Sequence, residues 1–282
     1  MSNEEQIAYW NGEAGRKWAQ KDDMMSAMLQ PIAADLLRHI DLIDCQRILD
    51  VGCGGGSETL MLAAALRGGA EVVGVDISEP LLDVARARLT TAPAAGRQIE
   101  FIRADAATHP FAQNEFDGLF SRFGVMFFDD PVAAFGNLHR ALQDGAPIAF
   151  CCWQALKYNP WVAVPLTAAL QHLPTPERTD PEAPGPFAFA DAERVRRILE
   201  DAGFNTVDVH PHPVQMCRTP GQDLETSARE IINIGPVGRL LTDADDATRD
   251  HVHATSLEAL APFYHDGQLR LPGAVWFVTA RA

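Results

Sequence analysis

A glycine-rich turn between an apolar run and a helical pattern constrains this chain more than any other feature. Residues 47–51 (RILDV) lead into residues 52–56 (GCGGG), and a helical pattern opens at Ser57. This order predicts a strand, a tight turn and a helix N-terminus. Glycines permit positive φ and leave no Cβ to hold a ligand away. The start of the helix then offers unpaired N–H groups to a polar or anionic ligand.

A second apolar run ends in an acidic residue. Residues 70–76 (AEVVGVD) predict a strand that ends at Asp76. Asp76 follows the last glycine of the turn by about twenty residues, the spacing expected of a carboxylate that binds a ribose. The alternative is a surface acid at the end of a strand. The turn and Asp76 together predict an adenosine-containing cofactor.

The residues around the turn discriminate between cofactors. A dinucleotide motif, G-x-G-x-x-G, requires a third glycine, but counting from Gly52 gives Ser57, and counting from Gly54 gives Thr59. Asp50 precedes the first glycine by two residues and would repel a pyrophosphate, whereas it would attract an ammonium group. S-adenosylmethionine has such an ammonium group and a ribose for Asp76, so we expect it as cofactor and S-adenosylhomocysteine as product. A backbone-capping role for Asp50 stays open.

Most of the chain resembles the class I S-adenosylmethionine-dependent methyltransferases. The matching segments are residues 48–56, Asp76 at the end of the second strand, and residues 101–106 (FIRADA), 116–123 (FDGLFSRF) and 138–153. Residues 121–128 (SRFGVMFF) resemble a bacterial small-molecule branch of methyltransferase type 11/25, near the ubiquinone and menaquinone methyltransferases. The chain lacks the residues that characterise those enzymes after the fourth strand, so quinone chemistry is not implied.

Cofactor-binding residues follow from the turn, from the spacing and from the resemblance. The resemblance places Asp105 beside the adenine, although aspartates also end strands in ordinary turns. The predicted set is Trp10, Arg16, Trp18, Asp50, Gly52, Cys53, Gly54, Asp76, Ile77, Asp105, Ala106 and Ser121.

The N-terminal segment is predicted to close over the cofactor. Gly12 and Gly15 are poor helix formers in a segment that also carries Trp10, Arg16 and Trp18. Aromatic faces suit the sulfonium cation, and Arg16 suits the methionine carboxylate. The alternative is that the tryptophans are packing anchors.

The acceptor is predicted to lie beside Arg122, Phe123 and Met126. Arg122 would pair an acidic or phenolate group, the neighbouring apolar side chains would form the wall, and a lid from Trp153 to Phe189 would lie above. The alternative is a surface arginine whose stem covers apolar neighbours. No general base is assigned.

Metal binding is not predicted. His210 and His212, and likewise His251 and His253, are two residues apart, but no Cys-x-x-Cys spacing supports a site. Cys151 and Cys152 are expected on a buried strand, and an exposed position of Cys53 in the turn stays open.

Composition excludes several classes of partner. The 282 residues include 38 acids and 23 bases, for a net charge of −15, without a lysine- or arginine-rich run. Nucleic acid is therefore a poor partner, because binding to its backbone needs clustered cations. No apolar stretch is long enough to span a membrane. The five cysteines without a spacing framework and the acidic N-terminus favour the cytoplasm. Monomer and homodimer both stay open.

Strand and helix patterns alternate from residue 48 to residue 153, which predicts an α/β fold with a Rossmann-like, doubly wound, mostly parallel sheet of seven strands. We expect strands near residues 48–51, 71–75, 99–103, 117–121, 146–152, 207–216 and 274–280. Two helices in residues 1–44 would form an N-terminal cover, and residues 45–282 the methyltransferase domain. Within that domain, residues 155–190, with five prolines after His172, would be a lid, and residues 219–265 a helical insertion.

The expected function is transfer of a methyl group from S-adenosylmethionine to a small-molecule acceptor, mainly by proximity and orientation. Two alternatives stay open. One is a module that binds an adenosine cofactor without turnover, and the other is a nicotinamide-dependent oxidoreductase on the same kind of sheet.

Overall fold

Strands and helices alternate through the central part of the chain. The structure is a computed structural model that describes residues 3–40, 42, 44–91, 98–175, 180–242 and 244–282. The helices are α1 Asn3–Asn11, α2 Glu13–Gln20, α3 Asp22–Arg38, α4 Ser57–Ala65, α5 Glu79–Thr91, α6 Pro131–Ala141, α7 Pro160–Ala169, α8 Ala192–Asp201, α9 Leu224–Ile234, α10 Pro236–Leu240 and α11 Asp246–Leu260. The strands are β1 Arg47–Val51, β2 Glu71–Asp76, β3 Gln98–Arg103, β4 Gly118–Arg122, β5 Pro147–Trp153, β6 Asn205–Cys217, β7 Tyr264–His265 and β8 Gln268–Arg281.

The sheet has the strand order β3-β2-β1-β4-β5-β8-β6, and β7 pairs with β8 outside this path. Strands β1 to β5 pair in parallel. The chain runs outward from β1 through β2 to β3 and then returns to the other side of β1 as β4. The predicted doubly wound sheet of seven strands is confirmed, with the two-residue β7 as an addition. A ligand of such a sheet binds outside the carboxyl ends of the strands, where the order reverses, here between β1 and β4.

The central strands are buried on both faces. Ile48 and Leu49 of β1 and Leu119 and Phe120 of β4 have no exposed surface, and all seven residues of β5 are buried. Parallel strands covered by helices on both sides have this continuous apolar character. Cys151 and Cys152 lie within β5 and are buried, as predicted.

The chain forms two compact units. One contains residues 1–153, 181–211 and 276–282, with strands β1 to β5, and the other contains residues 154–180 and 212–275. The second unit holds α7, α9, α10 and α11, and apolar side chains on and next to these helices form a core of their own. That core consists of Ala169, Leu173, Ile232, Val237, Leu241 and Val252.

The N-terminal segment differs from prediction because it contains three helices instead of two. Gly12 leaves the helical conformation, with φ −86° and ψ −152°, and thereby separates α1 from α2. Lys21 separates α2 from α3, which begins with Asp22 and Asp23. Acidic residues favour a helix N-terminus because the helix dipole is positive there. Residues 1, 2, 41 and 43 of the predicted cover lie outside the described residues.

One strand in the C-terminal half also differs from the sequence-based expectation. Strand β8 begins six residues before the predicted start at residue 274, because Asp266 and Gly267, with φ of 51° and 74°, form a tight turn that pairs it with β7. An Asp-Gly pair with positive φ at both residues is typical of a two-residue hairpin. The first half of the predicted lid contains α7, and residues 176–179 of that lid lie outside the described residues.

The last part of the predicted lid, from residue 181 to residue 190, belongs to the first unit. Phe189 is buried and its ring lies 6.3 Å from that of Phe135. Gly185 donates a backbone hydrogen bond of 3.1 Å to the Met126 carbonyl. Trp153, the other end of the predicted lid, is also buried.

Across the described residues, no helix is both long enough and apolar enough to cross a membrane.

Candidate cofactor site

The glycine turn joins the end of β1 to the end of β2. The backbone N–H groups of Gly52 and Cys53 both donate to the Val75 carbonyl, at 2.8 and 3.2 Å. Gly52 has φ +70°, and a Cβ there would lie 2.6 Å from the Cα of Gly124. Gly54 has φ +52°, but no described atom lies within 4 Å of the place its Cβ would take. Gly52 is therefore required by packing, whereas Gly54 borders open space that a ligand can use.

Asp76 ties the second strand to this turn. Its Oδ2 accepts a hydrogen bond from the Gly54 N–H at 2.9 Å, and its Oδ1 accepts one from the Ser78 N–H at 2.8 Å. Burial raises the pKa of Asp76, and the N–H donors of Ser78 and Gly54 counteract part of that rise. An ionised carboxylate offers about four acceptor positions, so Asp76 retains capacity for ligand hydroxyls.

Asp50 lies within β1 and is buried. Its Oδ2 accepts a hydrogen bond of 2.7 Å from the Thr59 hydroxyl in α4. The pKa of Asp50 is raised to about 7, mainly by burial and also by the Glu58 and Asp76 carboxylates, against the opposing effects of the Thr59 hydrogen bond and Arg122. The site therefore holds a carboxyl group that titrates near neutral pH.

Cys53 is buried, which excludes the exposed position that the sequence left open. Its Sγ occupies the space that a side chain on Gly74 would need, at 2.9 Å from the Cβ position. Burial also raises the pKa of the Cys53 thiol well above its usual value. A protonated, enclosed thiol fills space and is not a nucleophile.

Histidines do not assemble into a metal centre. His210 and His212 lie on β6, and His251 and His253 lie on α11. In the part of the chain that the structure describes, no group of three or more histidine, cysteine, aspartate or glutamate side chains could hold a metal ion.

Helix α1 is fixed to the carboxyl ends of β2 and β3. The Asn11 Nδ2 donates to the Ile77 carbonyl at 2.9 Å, and the Ser78 hydroxyl donates to the Trp10 carbonyl at 2.8 Å. The Asn3 Nδ2 donates to Asp105 Oδ2 at 2.6 Å. The N-terminal segment thus contacts both predicted cofactor-binding strand ends. Asn3 and Asn11 were not among the predicted site residues. Asn11 stands next to the predicted Trp10 in the chain, whereas no sequence signal marks Asn3.

The predicted aromatic residues of this segment meet, but Arg16 does not join them. The Trp10 ring centroid lies 5.9 Å from that of Trp18 and 5.6 Å from that of Phe127. Both tryptophans are half-buried, whereas Arg16 is exposed. The cluster therefore has ring surface still open to solvent or ligand.

Asp105 and Ala106 follow β3. Besides Asn3, Asp105 accepts hydrogen bonds from the Thr108 hydroxyl at 3.1 Å and the Ala107 N–H at 2.9 Å. Ala106 is buried, and its carbonyl accepts a hydrogen bond of 3.0 Å from the Asn137 side chain. Three of the four acceptor positions of Asp105 are thus occupied by the protein itself.

The end of β4 is connected to the glycine turn. The buried Ser121 hydroxyl donates to the Val51 carbonyl at 2.7 Å and accepts from the Gly124 N–H at 3.2 Å. Phe123 takes φ +62° and stacks on Trp153, with ring centroids 4.4 Å apart. Met126 is buried, so only Phe123 of these two predicted acceptor-binding side chains has exposed surface.

Arg122 is not a surface arginine. Its Nη2 lies 2.8 Å from Glu58 Oε2, and the side chains are only 14% and 5% exposed. Two further donors, Arg122 Nε and Nη1, and the acceptor Glu58 Oε1 have no hydrogen-bond partner among the described residues. The alternative of a solvated arginine was therefore wrong. Glu58 was missed, although its position in the first turn of a helix that follows the glycines was a usable signal.

The sheet thus collects polar groups at the carboxyl ends of four adjacent strands. Asp50 lies near the end of β1, Asp76 ends β2, Asp105 follows β3, and Arg122 ends β4. This arrangement at the switch point of the sheet defines a Rossmann-like nucleotide-binding fold of the kind found in class I methyltransferases.

Comparisons with known proteins agree with this class. Residues 49–150 match the family model described as a methyltransferase domain. A demethylmenaquinone methyltransferase of Thermus thermophilus is 41% identical over 133 residues, which are 45% of this chain and 58% of that protein. An O-methyltransferase of Aspergillus nomiae is 27% identical over 143 residues, which are 51% of this chain and 60% of that protein. The chain therefore spans less than two thirds of the length of these two relatives.

A solved structure shows the same fold. Phosphoethanolamine N-methyltransferase 2 of Haemonchus contortus, in complex with S-adenosyl-L-methionine, matches with a TM-score of 0.57 and 17% identity. The match covers 97% of this chain and 59% of that one. Residues 49–150 thus match a methyltransferase domain, and the chain has the Rossmann-like fold of a known methyltransferase.

Proposed function

We propose that this protein transfers a methyl group from S-adenosylmethionine to a small-molecule acceptor. The observation that carries the proposal is the open space at Gly54, whose N–H is held by Asp76, within a methyltransferase domain. A ligand that combines an amino-acid group with a ribose can occupy this space and use the free acceptor positions of Asp76. The names of the relatives, a demethylmenaquinone methyltransferase and an O-methyltransferase, favour a small organic acceptor.

Each part of the cofactor has a candidate partner in the first unit. Asp76 would accept hydrogen bonds from the ribose hydroxyls, beside the backbone of Gly52, Gly54 and Ile77. Asp50 would neutralise the ammonium group near Cys53 and Ser121. Asp105 and Ala106 would lie beside the adenine. Trp10 and Trp18 would face the sulfonium, and Arg16 would reach the carboxylate only by moving from its exposed position.

When bound, S-adenosylmethionine supplies a methyl group that is already activated by the sulfonium. The residues of the chain then have to bind, orient and exclude water, and orientation alone can contribute up to about 7–11 kcal/mol. The geometry assigns no general base, and none is needed for an acceptor that is already ionised.

Arg122 and Phe123 are the candidate contacts for the acceptor. Arg122 has two buried N–H donors free among the described residues, which suits an acidic or phenolate oxygen. The stacked rings of Phe123, which follows β4, and Trp153, which ends β5, form an aromatic wall. Met126 would support this wall from the core. Among the described residues no cysteine forms a disulfide bond, so we propose a reducing compartment such as the cytoplasm.

Binding and turnover are tested separately. Calorimetry with S-adenosylhomocysteine should show binding, and Asp76→Ala should weaken it at least about tenfold because a hydrogen bond to a charged group contributes about 1.5–3 kcal/mol. The matched control is Asp83→Ala on the exposed face of α5. Equal affinity of the folded Asp76 variant and wild type would remove the ribose assignment.

Two other functions predict different outcomes. A mass-spectrometric screen of candidate acceptors should find products heavier by one methylene unit. Cofactor binding without any such product would favour a module that lacks turnover. A thermal shift with NADH and none with S-adenosylhomocysteine would favour a nicotinamide enzyme.

A further inference from the structure

Gln6 is a buried side chain without a hydrogen-bond partner. It is 1% exposed, and neither its Oε1 nor its Nε2 has a partner among the described residues. Most buried amides in folded proteins are paired, because burying an unpaired polar group opposes folding. An amide retained in this state is suited to a ligand that supplies both partners.

Gln6 lies on the face of α1 that is turned toward the strand ends. Asn3, Gln6 and Trp10 are spaced by three and four residues, so they share one face of the helix. Asn3 contacts Asp105 after β3, and the Trp10 ring contacts Phe127 after β4, while the Trp10 backbone carbonyl accepts a hydrogen bond from Ser78 after β2. Gln6 is therefore placed between the contact to the loop after β3 and the contacts to the loops after β2 and β4.

The position of the adenine follows from the proposed function, on which this inference rests. The methionine portion would lie at the turn after β1, and the ribose at Asp76 after β2. Neighbouring strands are about 4.8 Å apart, so a base attached to that ribose extends toward the end of β3. There it comes below the face of α1 that carries Gln6.

The hydrogen-bond donor and acceptor of the Gln6 amide can be matched to a particular group of the ligand. The 6-amino group of adenine is a donor, and the ring nitrogen beside it is an acceptor, whereas a carboxamide presents an acceptor beside a donor. Asp105 has most of its acceptor positions occupied and, when ionised, cannot donate to a ring nitrogen. We propose that Gln6 binds the adenine base of the cofactor through its 6-amino group and the adjacent ring nitrogen.

The first experiment removes the amide and keeps the approximate shape of the side chain. We expect Gln6→Leu to weaken S-adenosylhomocysteine binding at least about fivefold, because two neutral hydrogen bonds are lost. We expect no decrease in the thermal stability of the ligand-free protein, since an unpaired buried amide is replaced by an apolar group. The control is Gln20→Leu, the same change at the exposed end of α2. Wild-type affinity in Gln6→Leu would overturn the inference while leaving the proposed function intact.

The second experiment compares two ligands within each protein, so it remains decisive even if the variant is less stable. The probes are S-adenosylhomocysteine and its 6-deamino analogue, which carries hydrogen in place of the amino group. If Gln6 binds the amino group, loss of that group should weaken binding to wild type by a larger factor than binding to Gln6→Leu. The reason is that the effects of two groups in contact are not additive. Equal costs in both proteins would assign Gln6 a purely structural role. Failure of wild type to bind S-adenosylhomocysteine would overturn the proposed function and this inference together.

Discussion

Arg122 at the end of β4 and Glu58 in the first turn of α4 form a buried ion pair, with Nη2 and Oε2 2.8 Å apart. Taking two charges out of water is costly, and their attraction offsets this cost only while both are present. The pair therefore connects the helix after the glycine turn to the strand that carries the predicted acceptor site. Removing Arg122 also leaves Glu58 without its buried counter-charge, so a test of Arg122 in catalysis needs a control for that loss.

The first prediction concerns the stability of this pair. Arg122→Met should lower the free energy of unfolding by about 3–5 kcal/mol because Glu58 loses its buried counter-charge. Glu58→Gln combined with Arg122→Met should recover most of that loss, since no unpaired charge remains. Urea denaturation of the two single variants and the double variant measures the coupling. Additive losses would show that the two charges act independently.

The same variants test whether Arg122 contacts the acceptor. Glu58→Gln keeps the arginine, and the double variant removes it from an otherwise matched background. If Arg122 pairs an acidic acceptor, only the double variant should show a raised KM or lowered kcat, with unchanged S-adenosylhomocysteine affinity. Equal kinetics in Glu58→Gln and in the double variant would leave Arg122 a structural role only.

The second prediction concerns Gly52. A Cβ at this position would lie 2.6 Å from the Gly124 Cα, and φ is +70°. Gly52→Ala should therefore destabilise the fold by at least about 2 kcal/mol, from the left-handed backbone and the overlap together. Gly68→Ala is the control, because no described atom lies within 4 Å of its Cβ position and its φ is not in the left-handed region. Similar melting temperatures for both variants would mean that the backbone at Gly124 can shift to make room with little loss of stability.

The third prediction concerns Gly54, where a side chain should impair ligand binding and leave the fold intact. Its Cβ position faces open space, and asparagine tolerates left-handed backbone better than other residues with a side chain. Gly54→Asn should therefore fold but bind S-adenosylhomocysteine at least about tenfold more weakly, because its side chain enters the ligand space. Gly145→Asn, at another open glycine with φ +77°, is the control. Normal affinity in Gly54→Asn would make the turn a packing feature alone.

The features that sequence alone could predict depend on neighbouring residues. The glycine turn requires residues that tolerate positive φ, and the acid that ends β2 follows from the spacing of the strands. Both positions can therefore be recognised in the sequence. The Asp266–Gly267 hairpin was equally local and could have been predicted, but the helical pattern before it dominated the interpretation.

The features that could not be predicted depend on residues far apart in the chain. Asn3 and Asp105 are 102 positions apart, and Glu58 and Arg122 are 64 positions apart. A single sequence shows neither pairing, because only the assembled sheet brings these side chains together. The burial of Gln6 is likewise set by tertiary packing, since its neighbours on α1 are mostly exposed.

The fourth prediction concerns the protonation of Asp50. Burial raises its pKa to about 7, so the folded protein holds this proton more tightly than the unfolded chain. The folded state therefore binds more protons between about pH 4 and about pH 7, and the free energy of unfolding should fall as pH rises through this window. Asp50→Asn does not titrate and should lose less stability on the same pH rise. Chemical denaturation across this range measures the difference, with the exposed Asp144→Asn as the control.

Ligand binding should depend on pH with the opposite sign. An ammonium group beside Asp50 favours the ionised carboxylate, so wild-type affinity for S-adenosylhomocysteine should rise from about pH 6 to about pH 8. Asp50→Asn has no charge to gain and should show little of this increase, whereas Asp144→Asn should follow wild type. Calorimetry at both pH values also measures the proton that Asp50 releases on binding. If Asp50 serves only as the acceptor for the Thr59 hydroxyl, wild type and Asp50→Asn will instead show the same dependence on pH.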